Sequence, residues 1–361
     1  GCLLERCLFP ILISFPQSSY FFVGLQKNGL ILMINLSGRL LSVLKYIVLL
    51  SLAGVLLWLS FREVKWESFV NGIKDADWRW IGLSMIVSVL AFLIRALRWR
   101  LIMLPLGKPV SRMDSWHGIN VGYITNFALP RAGELARCGV ISKRTGLPFE
   151  TVAGTVVLER SIDMLSLLIV SAGVMLFFWD SFGGFIDKQI LSSLEDKFST
   201  ELIITGFVIL IASAIFLYMI WRYRKSHPLL AKIVKIVKGI IAGLSSGFRM
   251  PQKWTFIIYT VLLWVCYWLM SYFTILAFDN LNTGLGADDA LFLMMVGSFG
   301  WVIPVQGGIG AYHLIISLAL LSVYGISQTT GVIFATISHG AQTITMLIFG
   351  ALSLLKITLK K

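Results

Sequence analysis

Two stretches decide the fold: VGYITNFALPRAG over residues 121–133 and VGSFGWVIPVQGG over residues 296–308. Each is an apolar run that opens on Val-Gly and ends in a Pro-x-x-Gly corner, bracketed by Pro130 and Gly133 in the first and by Pro304 and Gly307 in the second. A helix needs about 20 consecutive apolar residues to cross a bilayer, and neither run reaches that before Gly and Pro break it. Short, interrupted segments in corresponding halves of a membrane chain are the mark of an inverted-repeat transporter whose site lies at the repeat interface.

The composition around them supports a membrane setting. Of 361 residues, 57% are hydrophobic and only 14% charged, against about a quarter charged in soluble domains. The net charge of +13 falls in short loops between apolar spans, where it sets topology and meets anionic headgroups, so nucleic acid is not an expected partner. The four cysteines, Cys2, Cys7, Cys138 and Cys266, form no CxxC pair, which leaves no disulfide framework or thiolate metal site indicated. No GxxxxGK[ST] phosphate loop and no HExxH occurs, so neither an ATP-driven pump nor a zinc hydrolase is expected, and no cofactor or metal is called for.

Apolar runs of spanning length lie near residues 43–61, 80–97, 151–179, 202–221, 254–278 and 330–355, with shorter ones near 115–129, 290–306 and 311–324. In hydrocarbon every backbone amide must be satisfied internally, so these are helices. Residues 222–253 carry eight Lys/Arg and no acid, and residues 95–112 carry five and no acid, whereas 180–201 carry five acids and two Lys. The positive-inside rule puts the first two segments in the cytoplasm and the third outside, with both termini cytoplasmic. The stretch 115–129 is then expected to dip in and return on one side. Three further spans bring the chain to the second copy from the opposite side. Lys232, Lys235 and Lys238 line one side of residues 227–244, which predicts an amphipathic helix on the cytoplasmic leaflet.

The expectation is an all-α polytopic transmembrane bundle of about eight membrane elements, two of them broken or re-entrant and related as an inverted repeat. It comprises one domain over residues 33–361, with repeat 1 over about 40–179 and repeat 2 over about 202–355. Met33 opens a basic, amphipathic lead into a clean span, so residues 1–32 read as an upstream extension.

Charged residues inside spans single out the site. Glu159, Arg160 and Asp163 precede an apolar run of sixteen residues, too short to cross about 30 Å alone, so the three charges are embedded. Intramembrane ionisable groups cost about 2.5–3.5 kcal/mol each at a helix centre and are functional candidates by default; an internal salt bridge is the structural alternative. LPRAGELAR adds Arg131, Glu134 and Arg137 at the first corner, where Pro130 and Gly133 permit a sharp turn. Glu134 and Arg137, three apart, are placed to pair on one helix. Arginine also matches phosphate geometry better than lysine. Gly307, Gly308 and Gly310 mark the second corner with Pro304, and His313 and His339 are candidate proton relays or packing histidines. Arg95 and Arg98, at the end of the second span, are expected to snorkel towards headgroups.

At LPRAGELAR, GTVVLERSID and IPVQGGIGAYH, the chain resembles the transmembrane region of the lysylphosphatidylglycerol synthases, a flippase-like family. The resemblance implies a membrane domain associated with lipid flipping and assigns Pro130, Arg131, Gly133, Glu134, Arg137, Glu159, Arg160 and Asp163 to family motifs. In synthases a separate soluble domain performs aminoacyl transfer, and that activity is not carried over to this chain. The resulting expectation is a multi-pass protein of the bacterial inner membrane that moves an anionic, phosphate-bearing lipid between leaflets, with no catalytic residue. Membrane phospholipids and a separate lipid-modifying enzyme are the expected partners. The alternatives are an embedded headgroup-modifying enzyme using Glu159 or Asp163 as base, and a small-solute transporter.

Overall fold

A computed structural model describes residues 29–129, 131–177, 228–278, 284–303 and 305–359, with residues 29–43, 45, 228–233 and 235 described as backbone only. Among the described residues the chain forms α-helices and 3-10 turns and no strand. The helices are α1 (Gly29–Phe61), α2 (Trp66–Lys74), α3 (Trp78–Met103), α4 (Arg112–Ala128), α5 (Gly133–Thr145), α6 (Phe149–Phe177), α7 (Pro228–Ser246), α8 (Lys253–Leu276), α9 (Ala287–Val302), α10 (Ala311–Tyr324) and α11 (Gln328–Leu359). Five segments of the described residues are long and apolar enough to cross a membrane. The bent pair Tyr46–Phe61 and Trp66–Lys74, turned by 87°, makes six if counted as one span. The expected span near 202–221 and the acidic segment 180–201 lie outside the described residues.

Both Val-Gly stretches are arms of short helical hairpins. In hairpin 1, α4 and α5 run antiparallel. Their base is closed by Arg144 Nε donating to Asp114 Oδ1, and Ser111 and Asp114 cap α4 reciprocally, an arrangement that satisfies two orphan amides. Burial raises the Asp114 pKa, but the Ser111 hydroxyl and the Arg144 guanidinium more than reverse this and hold the carboxyl below its ordinary range. The arms touch backbone to backbone, since a Cβ on Gly133 would stand 2.1 Å from Gly122 O. In hairpin 2, α9 and α10 are also antiparallel, with Tyr324 donating to Asp289 Oδ1 at the base (2.7 Å) and Tyr312 seated against Gly297 and Gly300 near the tip. The arms α4, α5 and α9 rise about 20–25 Å, whereas α10 together with the turn before it, Gln306–Tyr324, is one of the five segments of crossing length.

Helix α3 shows where the two bases lie. It packs antiparallel on α8, with Asp77 N donating to Ala277 O at one end (2.8 Å) and Arg98 standing 5.8 Å over the Phe256 ring near the other. The chain leaves α8 for hairpin 2 at the first end and leaves α3 for hairpin 1 at the second, where Arg100 Nε holds Val110 O (2.7 Å). The bases therefore sit at opposite ends of a helix about 39 Å long, and the tips meet between them. Gly307 faces the Phe127 ring so closely that a Cβ would come within 2.7 Å of it, and Arg131 Nη2 donates to Val302 O. Helix α11 runs past both hairpins. Its first half contacts hairpin 2 through Gly331 on Ser317 and Ser338 on the Tyr312 hydroxyl (3.0 Å). Its second half contacts hairpin 1 through Gly350 on Ile124 and Phe349 on Trp116 (5.6 Å between rings).

The structure refines the reading of α7 as a helix lying on the leaflet. Lys238 is exposed, as that reading requires, but Gly239, Gly243 and Gly247 form a row seated on α6 in parallel register, against Glu150, Thr151 with Gly154, and Leu158 respectively. Small residues at intervals of four let helix backbones approach closely in lipid. Residues 243–247 also spell G-x-S-x-G, the pattern of a hydrolase nucleophile elbow. Here they form a helix end, with Ser245 Oγ bonded to Ala242 O (3.0 Å) and the two glycines occupied in packing.

Gly243→Val places side-chain atoms where Thr151 O already lies 2.2 Å from an ideal Cβ. We expect a loss of about 1–3 kcal/mol or more in thermal unfolding of the detergent-solubilised protein. Gly82→Ala, with nothing within 4 Å of its Cβ, should leave stability unchanged or slightly raised. Equal behaviour of the two variants would contradict the glycine-row packing.

Candidate functional site

Glu159 is the centre of the candidate site. It lies ten residues into α6, about 15 Å from the helix start, and is fully buried (0% exposed). Its Oε1 accepts from Arg95 Nε at 3.0 Å and from Arg98 Nη2 at 3.4 Å, and its Oε2 accepts from Arg137 Nη1 at 2.7 Å. One helical turn on, Asp163 accepts from Arg95 Nη2 at 3.2 Å and from Arg98 Nη2 at 2.5 Å. Arg160 points to the neighbouring face and donates to Glu134 Oε1 at 2.8 Å. Seven ionised groups thus meet on three elements, α3, hairpin 1 and α6.

The surroundings position this cluster. Trp99 on α3 donates from Nε1 to Thr155 Oγ1 on α6 (3.0 Å), and the Arg137 guanidinium stands over the Trp99 ring at 4.7 Å, a cation–π placement that strengthens when desolvated. Gly133 N donates to Asn126 Oδ1 (2.7 Å), which turns the Gly133 end of α5 so that Glu134 and Arg137 face inwards. Between α3, hairpin 1 and α6 opens a narrow cleft of about 10 Å³, lined by Arg95, Gly122, Tyr123, Asn126, Glu134, Arg137 and Arg160 among others.

The ion pairing is incomplete. Four arginines (Arg95, Arg98, Arg137, Arg160) face three carboxylates (Glu134, Glu159, Asp163), a surplus of 4 − 3 = +1. Among the described residues Arg137, only 3% exposed, leaves Nε and Nη2 without a hydrogen-bond partner, Arg98 leaves Nε and Nη1, and Glu134 leaves Oε2. Buried polar groups are normally satisfied. Unpaired guanidinium donors beside a cleft provide a receptor for an anion with several oxygens.

Of the six charged residues singled out by sequence, Glu134, Arg137, Glu159, Arg160 and Asp163 converge. Arg131 stands apart: its backbone is left-handed (φ 65°) and its side chain reaches across to the tip of hairpin 2. Glu134 and Arg137 do not pair with each other. Each bonds to α6 instead, because a partner across the cleft is nearer than the residue one turn away. Arg95 and Arg98 do not snorkel; they are 7% and 0% exposed and answer the α6 carboxylates. Pro130 and Pro304 lie outside the described residues. Gly307, Gly308 and Gly310 adopt left-handed φ of 56°, 78° and 82° and shape the tip of hairpin 2 without lining the cleft. His339 holds Gly307 O through Nε2 (2.7 Å), and the His313 ring lies 5.2 Å from it, so the histidine pair is packed at that tip and away from the charges.

Glu159→Gln removes the carboxylate that three buried guanidiniums share. We expect a loss of about 3–5 kcal/mol, the usual cost of stripping a partner from a buried pair. Glu134→Gln faces an Arg160 that is 46% exposed and should cost about 1 kcal/mol or less. Thermal unfolding in detergent reads both, and comparable losses would remove Glu159 from its central place.

Comparison with curated proteins and with solved structures returned no match. A family described as the lysylphosphatidylglycerol synthase TM region matches residues 43–350, a range that holds every element of the cleft and both hairpins. The chain belongs to that family of membrane proteins.

Proposed function

We propose that the protein moves an anionic, phosphate-bearing lipid between the leaflets of the bacterial inner membrane. The observation that carries this reading is the pair of donors on buried Arg137 that are unpartnered among the described residues, in a cluster where four arginines face three carboxylates. A phosphodiester carries one negative charge and presents oxygens suited to a guanidinium fork. Membership of a lysylphosphatidylglycerol synthase membrane-region family supports a role connected with membrane lipids. Arg137 is the primary phosphate receptor in this reading, with Arg160 beside it and Arg131 at the tip, while Glu159 and Asp163 hold the arginines in place.

The two hairpins act as the broken elements of an inverted repeat, entering from opposite sides, with both termini cytoplasmic and membrane phospholipids as the transported partners. The positive left-handed glycines at the tip of hairpin 2 and the arm-to-arm glycine contact in hairpin 1 supply the corners for alternating exposure. Against the headgroup-enzyme alternative, which needs Glu159 or Asp163 as base, stands the pairing of both oxygens of each carboxylate with guanidinium donors.

Transbilayer movement of labelled phosphatidylglycerol in proteoliposomes tests the reading. Wild-type protein is expected to accelerate it over empty vesicles, with Arg137→Gln about 10- to 100-fold slower, as loss of a charged hydrogen bond worth about 1.5–3 kcal/mol requires. Glu159 keeps Arg95 and Arg98 in this variant, so the fold is retained. Acceleration equal in wild type and Arg137→Gln, or none above empty vesicles with folded protein, would refute the assignment.

A further inference from the structure

A second, small recess of about 80 Å³ lies at the base of hairpin 1, open to the surface and lined by Met113, His117, Arg144 and Lys356. Three elements form it. Met113 and His117 come from the first turns of α4, Arg144 from the last turn of α5 and Lys356 from the last turn of α11. It is separate from the charged cleft, with which it shares no lining residue.

Its charges do not balance. The Arg144 guanidinium is answered by Asp114, whereas Lys356 makes no ion pair among the described residues. Both cations sit at helix C-termini, where the helix dipole favours positive charge. Met113, which lines the recess, is 50% exposed on α4, and Leu352 (55%) and Leu355 (57%) are exposed within about one turn of Lys356 on α11, an apolar wall next to the cations. Cationic groups in a recess between membrane helices, next to a hydrocarbon-facing surface, form the chemistry that recognises an anionic lipid by headgroup and chain together. A freely diffusing anion would make no use of that apolar wall.

We propose that this pocket is a resident lipid site, in which Lys356 and Arg144 hold the phosphate of an anionic phospholipid whose chains lie along Leu352, Leu355 and Met113. The lipid bridges α4, α5 and α11 at the base of hairpin 1 and is not the transported molecule. The inference does not depend on the transport reading. It rests on a different cavity and survives if no lipid moves.

The test is lipid retention by the full chain in phosphatidylcholine nanodiscs doped with phosphatidylglycerol, read by native mass spectrometry after release, with inorganic phosphate as a competing arm. Lys356→Gln breaks no ion pair and alters an exposed side chain, so it leaves folding intact. It should weaken phosphatidylglycerol retention about fivefold, the effect of one basic residue near an anionic membrane surface. Arg137→Gln, in the other cleft, should leave this bound lipid in place. Retention unchanged in Lys356→Gln would overturn the proposal. Displacement of the lipid by millimolar inorganic phosphate would show a free-anion site and overturn the assignment to lipid.

Discussion

A carboxylate buried in a membrane helix can persist only if its charge is answered within a few ångströms, and in this chain Glu159 imposes that condition on everything around it. Its two oxygens draw Arg95 and Arg98 from α3 and Arg137 from α5, so the position of hairpin 1 against α3 and α6 is fixed by charge as much as by apolar packing. In hydrocarbon, association of helices has no hydrophobic driving force comparable to that in water and depends on close packing and polar contacts. Both devices operate on α6. Its carboxylates face α3 and hairpin 1, and its Gly154 region receives the glycine row of α7.

The same network that holds the bundle together supplies the candidate receptor, because its pairing is deliberately short of complete. A fully matched cluster would be a structural salt bridge. One surplus guanidinium, with Arg137 donors unpartnered among the described residues beside a cleft, is what makes the cluster a candidate site as well as a cross-link. The position of the cleft follows from the backbone: without the contact of Gly122 and Gly133, the arms of hairpin 1 would splay and carry Arg137 away from Glu159.

The broken segments were legible in the sequence because their cause is local: Gly and Pro interrupt an apolar run at fixed spacing. Each stretch holds one arm of a helix pair, while the sequence left open whether the second returns or crosses outright, since apolar length alone suits either. The charged residues of α6 were legible for a similar reason, since an ionisable group in an apolar run stands out by itself. Their partners were not. Arg98 and Glu159 are 61 positions apart, and in the sequence Arg98 looks like any basic residue at the end of a span. The spacing of Glu134 and Arg137 suggested a pair along one helix, and tertiary proximity to α6 overrode it. The glycine row of α7 was present in the sequence, but the lysine pattern of the same segment pointed to a surface helix, and periodicity alone does not say which face another helix will occupy.

Helix α11 runs unbroken for 32 residues and is fastened to hairpin 2 along its first half and to hairpin 1 along its second. In mechanical terms it is a common shaft. A tilt of one hairpin exerts a torque on the other, and the two cannot swing open independently while both remain seated on it. Where the shaft passes from one hairpin to the other it carries Gly340, which has no neighbour within 4 Å of its missing side chain, so the helix backbone itself is the connection between the two sides of the bundle.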